Sequence, residues 1–284
     1  GFTTYYGHLF MRRAGIWDDK RFLNRKAGTI RRIESAQGSQ LMSAEESSLS
    51  APFIDDAPHA QLTNLENTSI SYYPKGELIA MVLDLLIRGR TKGKSSLDDV
   101  MRRMYNEFYL KSPNSSYYLR GRGYKTEDVE RVISEMAGAE FHEFFKRYVR
   151  DVEVLPYDEA FGYAGLRLIK TQAKEPFNAG LSIEFDDVPM IENVRSYSPA
   201  ETAGLQKNDE IVSLAGKKIT KDWLKTLARY KKGDAIAIVV KRDRRTIKGE
   251  MILGDPERYE YRIEEKANAT DQQKVLRAAW LNGK

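Results

Sequence analysis

The chain has no cysteine, which excludes disulfides and thiolate metal sites at the outset. Long hydrophobic runs are missing too. No stretch approaches the roughly 18 to 20 uninterrupted apolar residues of a membrane span, and the most apolar segment, "LIAMVLDLLI", is broken by Asp84. Histidine is scarce: His8, His59 and His142 are the only three in 284 residues. His142-Glu143 is followed by Phe144-Phe145-Lys146, so no second imidazole stands at the fourth-residue spacing that a pair of helical metal ligands needs. A metal role is therefore expected for none of the three. Neither an initiator methionine nor a leader peptide opens the chain, and Gly1-Phe2-Thr3-Thr4 reads as the middle of something longer. A strong excess of one charge is also lacking, with 46 basic against 41 acidic residues. The densest basic stretches, 25–32 and 241–248, have helical and hairpin-turn spacing and read as solvated faces, so nucleic acid is not an expected partner.

What is present is a globular balance, 31% charged and 41% hydrophobic. The first 160 residues are helical by pattern. Leu78, Met81, Val82, Leu85 and Leu86 recur at three and four, which predicts one buried helix face. Leu97, Val100, Met101, Met104, Tyr105 and Phe108 do the same after Ser96 as cap, and Val129, Val132, Ile133 and Met136 follow Thr126. Phe141, Phe144, Phe145, Tyr148 and Val149 complete a helical bundle. Residues 1–16 and 19–36 predict two more helices, the second capped by Asp18. Ser43 and Glu46 have capping-box spacing, and a long polar segment with Pro52 and Pro58 follows.

From Gly180 onward the pattern changes to short strands: "LSIEF", "MIENVRSY", "EIVSLAG", "AIAIVVKR" and "TIKGEMIL", with one helix at 221–230 and a polar turn at "RDRR". The division expected is a helical unit over 1–160, a small β unit over 161–256 and a charged tail over 257–284. That tail ends in a helix with Thr270 and Gln273 at capping-box spacing. The fold class is multidomain α + β.

"SPAETAGLQKNDEIVSLAGKKI", residues 198–219, resembles the signature of bacterial PDZ domains. It departs in having Asn208 where glycine is usual, a mild change because Asn tolerates a left-handed backbone. The resemblance implies peptide binding by strand addition, with a C-terminal carboxylate held on the backbone of Asn178-Ala179-Gly180-Leu181 and a groove wall carrying Trp223, Leu224 and Leu227.

The helical part resembles the zinc aminopeptidases of the gluzincin type. Those enzymes carry H-E-x-x-H, then a ligand glutamate in Glu-Gly-Phe-(Thr/Ala)-x-Tyr, then Tyr-x-Lys-Gly. Gly1-Phe2-Thr3-Thr4-Tyr5-Tyr6 resembles the second motif from the residue after its glutamate, and Tyr73-Pro74-Lys75-Gly76 resembles the third. "GYKTEDVERVISEMAGAEFHEFFKRYV" and "LPYDEAFGYAGL" resemble the glycyl aminopeptidases in particular, which also end in a PDZ domain. The resemblance implies that Tyr73 donates to the oxyanion formed when the scissile carbonyl is attacked, with Tyr72 packed beside it. It implies zinc in the parent enzyme but none in this chain. It also implies peptide substrates taken at their N-terminal end, a missing N-terminal half of the catalytic domain as partner, and a bacterial, exported source. Without H-E-x-x-H the chain as given is expected to be inactive. The alternative is a non-catalytic peptide-binding or scaffold protein acting through its PDZ domain.

Overall fold

The computed structural model describes residues 1–54, 65–111, 123–172, 179–254 and 259–283. Gly1 is followed by α1 (Phe2–Arg13) and α2 (Asp19–Ser35). Helix α1 stops short of the predicted residue 16, because Gly15 turns to a positive φ of 73° just beyond it. Asp18 caps α2 as predicted, accepting from the Arg21 amide at 2.6 Å. Three short helices follow: α3 (Ala44–Leu49), α4 (Ala51–Ile54) and α5 (Leu65–Thr68). The Ser43–Glu46 capping box is formed in both directions, at 3.1 and 2.8 Å. Next come α6 (Tyr72–Arg90), α7 (Leu97–Tyr105), α8 (Thr126–Ala137), α9 (His142–Tyr148) and α10 (Tyr157–Tyr163).

Helix α6 is the axis of the helical unit. The single apolar face predicted for it is too narrow a description: every residue from Glu77 to Arg88 is buried, because α1, α2, α3, α7, α8 and α10 surround it. A helix hydrophobic on all sides belongs in the middle of a core. Its charged residues are therefore enclosed and must be paired. Asp84 accepts from Tyr5 Oη at 2.6 Å, Arg88 Nε at 2.9 Å and the Leu97 amide at 2.9 Å. Trp280 Nε1 in turn donates to Tyr5 Oη at 2.8 Å. Arg13 grips Asp98 with both terminal nitrogens, at 3.1 and 2.9 Å, and Arg88 reaches Asp98 at 3.3 Å. Asp84, Arg88 and Asp98 thus each have a partner on a different element.

The sheet part starts with β1 (Leu166–Gln172), β2 (Leu181–Phe185) and β3 (Pro189–Val194). It continues through α11 (Pro199–Thr202), β4 (Glu210–Leu214), α12 (Trp223–Leu227), β5 (Ala235–Arg242), β6 (Arg245–Ile252) and β7 (Tyr259–Glu265). Strands β2 to β6 form one antiparallel sheet in sequence order, with β2 and β6 at its edges. The turn joining β5 and β6 has Asp243 and Arg244 at φ 50° and 65°, the doubly left-handed geometry of a two-residue hairpin loop. Helix α12 is half the length predicted for 221–230. Asn208 does adopt the left-handed conformation, at φ 70°, and beside it buried Asp209 takes two bonds from Arg242 at 2.7 and 2.8 Å.

Strands β1 and β7 lie outside that sheet and pair only with each other, from Leu166 with Glu265 to Gln172 with Tyr259. The final helix α13 (Asp271–Asn282) begins at the predicted Thr270–Gln273 capping box and returns to the helical core, where Trp280 is fully buried against Phe22. Two separate apolar cores result. One is built from the helices plus Leu166, Ile263, Leu276 and Trp280; the other lies under the five-stranded sheet. This mixed architecture, a helical region followed by a small β region, agrees with the α + β class read from the sequence.

Candidate functional site

The site at the entrance of α6 is built by two helix starts that touch. Gly76 and Gly1 approach so closely that a methyl group on Gly76 would lie 2.7 Å from Gly1 Cα. Glycine at both positions is what lets the backbone of α1 cross the first turn of α6. Ser71 caps α6, its hydroxyl accepting from the Tyr73 amide at 3.3 Å. Tyr72 and Tyr73 stack with ring centroids 4.4 Å apart and planes inclined by 29°. Tyr73 is 50% exposed.

A large apolar cavity of about 920 Å³ opens beside this turn, lined by Phe2, Tyr72, Met104, Tyr105 and Phe108 among others. Tyr72 lines it and Tyr73 does not. The phenol expected to be packed therefore faces the cavity, and the one expected to act faces solvent at its rim. Helix α7 continues into a π-helical turn, Asn106–Leu110, and that turn brings Phe108 to the cavity wall.

Around the first turns of α6 lie charged groups whose burial sequence reading did not foresee. Lys26, in the basic stretch expected to be solvated, is wholly buried and pairs with Glu77, which is also buried. An amphipathic helix turns one residue in three or four inward whatever its charge, and here the inward position found a carboxylate. Burial lowers the Lys26 ammonium pKa, and Glu77 only partly offsets this. His8 Nδ1 lies 2.7 Å from the same Glu77 oxygen, and the imidazole stacks on Trp17. Lys75 is likewise 2% exposed; burial lowers its pKa, partly countered by Glu34. The signal for this layer was a charge such as Glu77 or Asp84 inside an otherwise apolar helix.

The fit to zinc fails among the described residues. No group of three His, Asp or Glu side chains is placed to hold a metal ion. His8 is committed to Glu77, and His142 Nδ1 to Glu130 at 2.8 Å on the exposed face of α9. His59 lies outside the described residues.

The second candidate site lies at the start of β2. Ala179, Gly180 and Leu181 are consecutive at the edge of the sheet, and Asn178 is outside the described residues. Gly180 has φ 77°, and a side chain there would run into Ser198. Its glycine is thus required by the neighbouring loop as well as by the backbone angle. The Arg195 amide donates to Gly180 O at 2.8 Å, and the Ala200 amide to Ala179 O at 3.0 Å. On α12, Leu227 is fully buried in the sheet core, Trp223 packs partly against that core, and Leu224 is 45% exposed. One side of β2 pairs with β3; the other is a sheet edge.

Two family models match stretches of the chain. Residues 1–79 match the family model of the M61 glycyl aminopeptidases, and residues 162–253 match that of the PDZ domain. No curated protein matches the chain. Among solved structures it is similar to an aminopeptidase N family protein from Idiomarina loihiensis, with 25% identity and a TM-score of 0.83 over 99% of this chain. The chain spans 47% of that protein's length. At a lower level the chain is similar to a serine endoprotease from Yersinia pestis, with 18% identity and a TM-score of 0.26 over 28% of this chain and 29% of that one.

Proposed function

We propose that this chain forms the oxyanion-binding part of a peptidase that removes residues from the N-terminus of peptides, joined to a peptide-binding PDZ module. The observation that carries the proposal is the contact of Gly1 with Gly76. It sets the first residues of the M61-like segment against the turn that presents Tyr73.

In this reading the Tyr73 hydroxyl donates a hydrogen bond to the carbonyl oxygen of the scissile bond as it becomes an oxyanion. A phenol can do so at neutral pH because it keeps its proton. Tyr72 supports the ring of Tyr73 by stacking and forms the adjoining cavity wall. The described residues do not fit a zinc centre. In the proposal, whatever activates the attacking water comes from outside residues 1–284, and the chain alone is inactive.

The test compares Tyr73→Phe and Tyr72→Phe in the assembled, active peptidase. Tyr73→Phe should lower kcat by about 10² to 10³ with KM little changed, since the lost bond forms mainly in the transition state. Tyr72→Phe should fall within a few-fold of the parent. If the two effects are exchanged, the cavity-lining phenol is the donor. If neither slows hydrolysis, the turn is packing.

The open edge of β2 favours a second reading, a non-catalytic scaffold that binds peptides through the sheet. Peptide binding by the chain with no activity in any assembly would decide for it.

A further inference from the structure

We propose that Asn67 is a latch through which the PDZ-like unit sets the order of the tyrosine turn at the entrance of α6. The side-chain amide of Asn67, on α5, bridges the two units: Nδ2 donates to Val194 O at 2.7 Å, and Oδ1 accepts from the Ser196 amide at 3.2 Å. A primary amide offers one donor and one acceptor side by side, which matches the alternating C=O and N–H of an extended backbone. Carboxylate and hydroxyl side chains of similar size do not supply both in that arrangement.

What the latch grips lies directly against the candidate carboxylate loop. Val194 pairs with Leu181 across β2 and β3, and the Arg195 amide holds Gly180 O. Ser198 fills the space against Gly180, and the Ala200 amide holds Ala179 O. Val194, Arg195 and Ala200, in or near the Asn67 contact, thus pair with or bond to Leu181, Gly180 and Ala179, the described residues of the stretch expected to receive a peptide terminus.

On its other side the latch runs straight into the tyrosine turn. Ser69 is buried against Gly38, where a side chain would collide with the Ser69 backbone. Ile70 O accepts from the Ser47 hydroxyl at 2.6 Å, and Ser71 is the cap of α6. Between Asn67 and Tyr73 the chain is pinned at several points, so a displacement of Asn67 has little slack in which to dissipate. The functional weight of the latch rests on the proposed role of Tyr73; its physical existence does not.

The experiment measures amide hydrogen exchange on the full chain and on Asn67→Ala. Two hydrogen bonds of ordinary net strength are lost, so exchange should rise roughly 5- to 30-fold in two separated stretches together, 68–73 and 179–182 with 195–198. The interior of α6 and strand β5 should stay unchanged. Asn67→Asp keeps the acceptor toward Ser196 but sets a carboxylate oxygen against Val194 O, so exchange should rise in the same paired stretches as in Asn67→Ala. A rise confined to one stretch overturns the proposal. If Asn67→Ala loosens the whole molecule, Asn67→Asp decides: a paired rise supports the latch, and a one-sided or global rise overturns it. Paired exchange together with an unaffected Tyr73→Phe peptidase would sink the catalytic reading and leave the latch standing. Unpaired exchange with a slowed Tyr73→Phe would do the reverse.

Discussion

Asp84 sets the sharpest test of how the helical unit is held together. Its carboxylate is fully buried and takes bonds from Tyr5, Arg88 and the Leu97 amide, while the Arg88 side chain is only 1% exposed. Asp84→Ala would leave a buried guanidinium whose nearest remaining carboxylate is Asp98 at 3.3 Å, itself already gripped by Arg13. Breaking a buried pair from one side typically costs about 3 to 5 kcal/mol. The stranded Leu97 amide adds to that, so we expect a loss of about 4 kcal/mol or more. For a protein of this size each kcal/mol is worth about 2 to 4 °C, so the midpoint should drop by roughly 10 °C or more. The assay is urea and thermal denaturation followed by far-UV circular dichroism, which reports the helical unit. The double variant Asp84→Leu with Arg88→Met removes both charges and fills the space, and it should lose less than Asp84→Ala alone. An Asp84→Ala protein within about 1 kcal/mol of the parent would refute the reasoning. So would a double variant at least as damaged as the single one.

Gly76→Ala would ordinarily favour a helix by up to about 1 kcal/mol. Here the added methyl meets Gly1 Cα at 2.7 Å, so the sign should reverse to a loss of about 1 to 3 kcal/mol, measured by the same denaturation. Burial works against ionisation of Asp98, but its hydrogen bonds to Arg13 prevail and hold its pKa below the usual carboxylate range. That stabilisation is complete above about pH 4 and is lost as pH falls through the lowered folded value. Asp98→Asn should therefore narrow its stability deficit as the solution is acidified through that window, and a constant deficit would contradict this. Peptides with a free carboxylate and an apolar last residue should shift the amides of 179–185 and 221–230 in NMR titration, and amidated versions should not. Equal shifts by both forms would remove the carboxylate from the recognition.

Much of this architecture was legible because local signals and tertiary demands agree. The caps at Asp18, Ser43, Ser96 and Thr270 all form, since a capping residue acts within its own turn and needs no distant partner. The five sheet strands were readable from their apolar patterns, and Asn208 from the backbone freedom of its type. What stayed hidden depends on partners far away in sequence. Tyr259, Tyr261 and Ile263 alternate with charged residues in β7, but the strand exists because β1, some ninety positions earlier, offers a ladder to it. Lys26 looked like a surface cation until Glu77 was found facing it. The pair at the tyrosine turn was recognised as a pair, yet which ring faces the cavity depends on helix rotation, and no pattern within "SYYPKG" encodes that.

The ribbon of β1 and β7 has a consequence for how such a protein can be rebuilt. The chain leaves the helical unit along β1 and comes back along β7, with Gln172 and Tyr259 side by side at the far end. The whole five-stranded unit therefore hangs from two neighbouring chain ends, the geometry in which a foreign module can be spliced in or cut out. Closing the gap with a two-residue turn would convert β1 and β7 into an ordinary hairpin. Because loop-closure entropy grows only with the logarithm of the bridged length, shortening that span should favour the remaining fold. Helix α13 would still reach the core with Trp280 in place. A miniature made this way would keep the tyrosine turn while losing the Asn67 tether, separating by deletion what point substitution can only loosen.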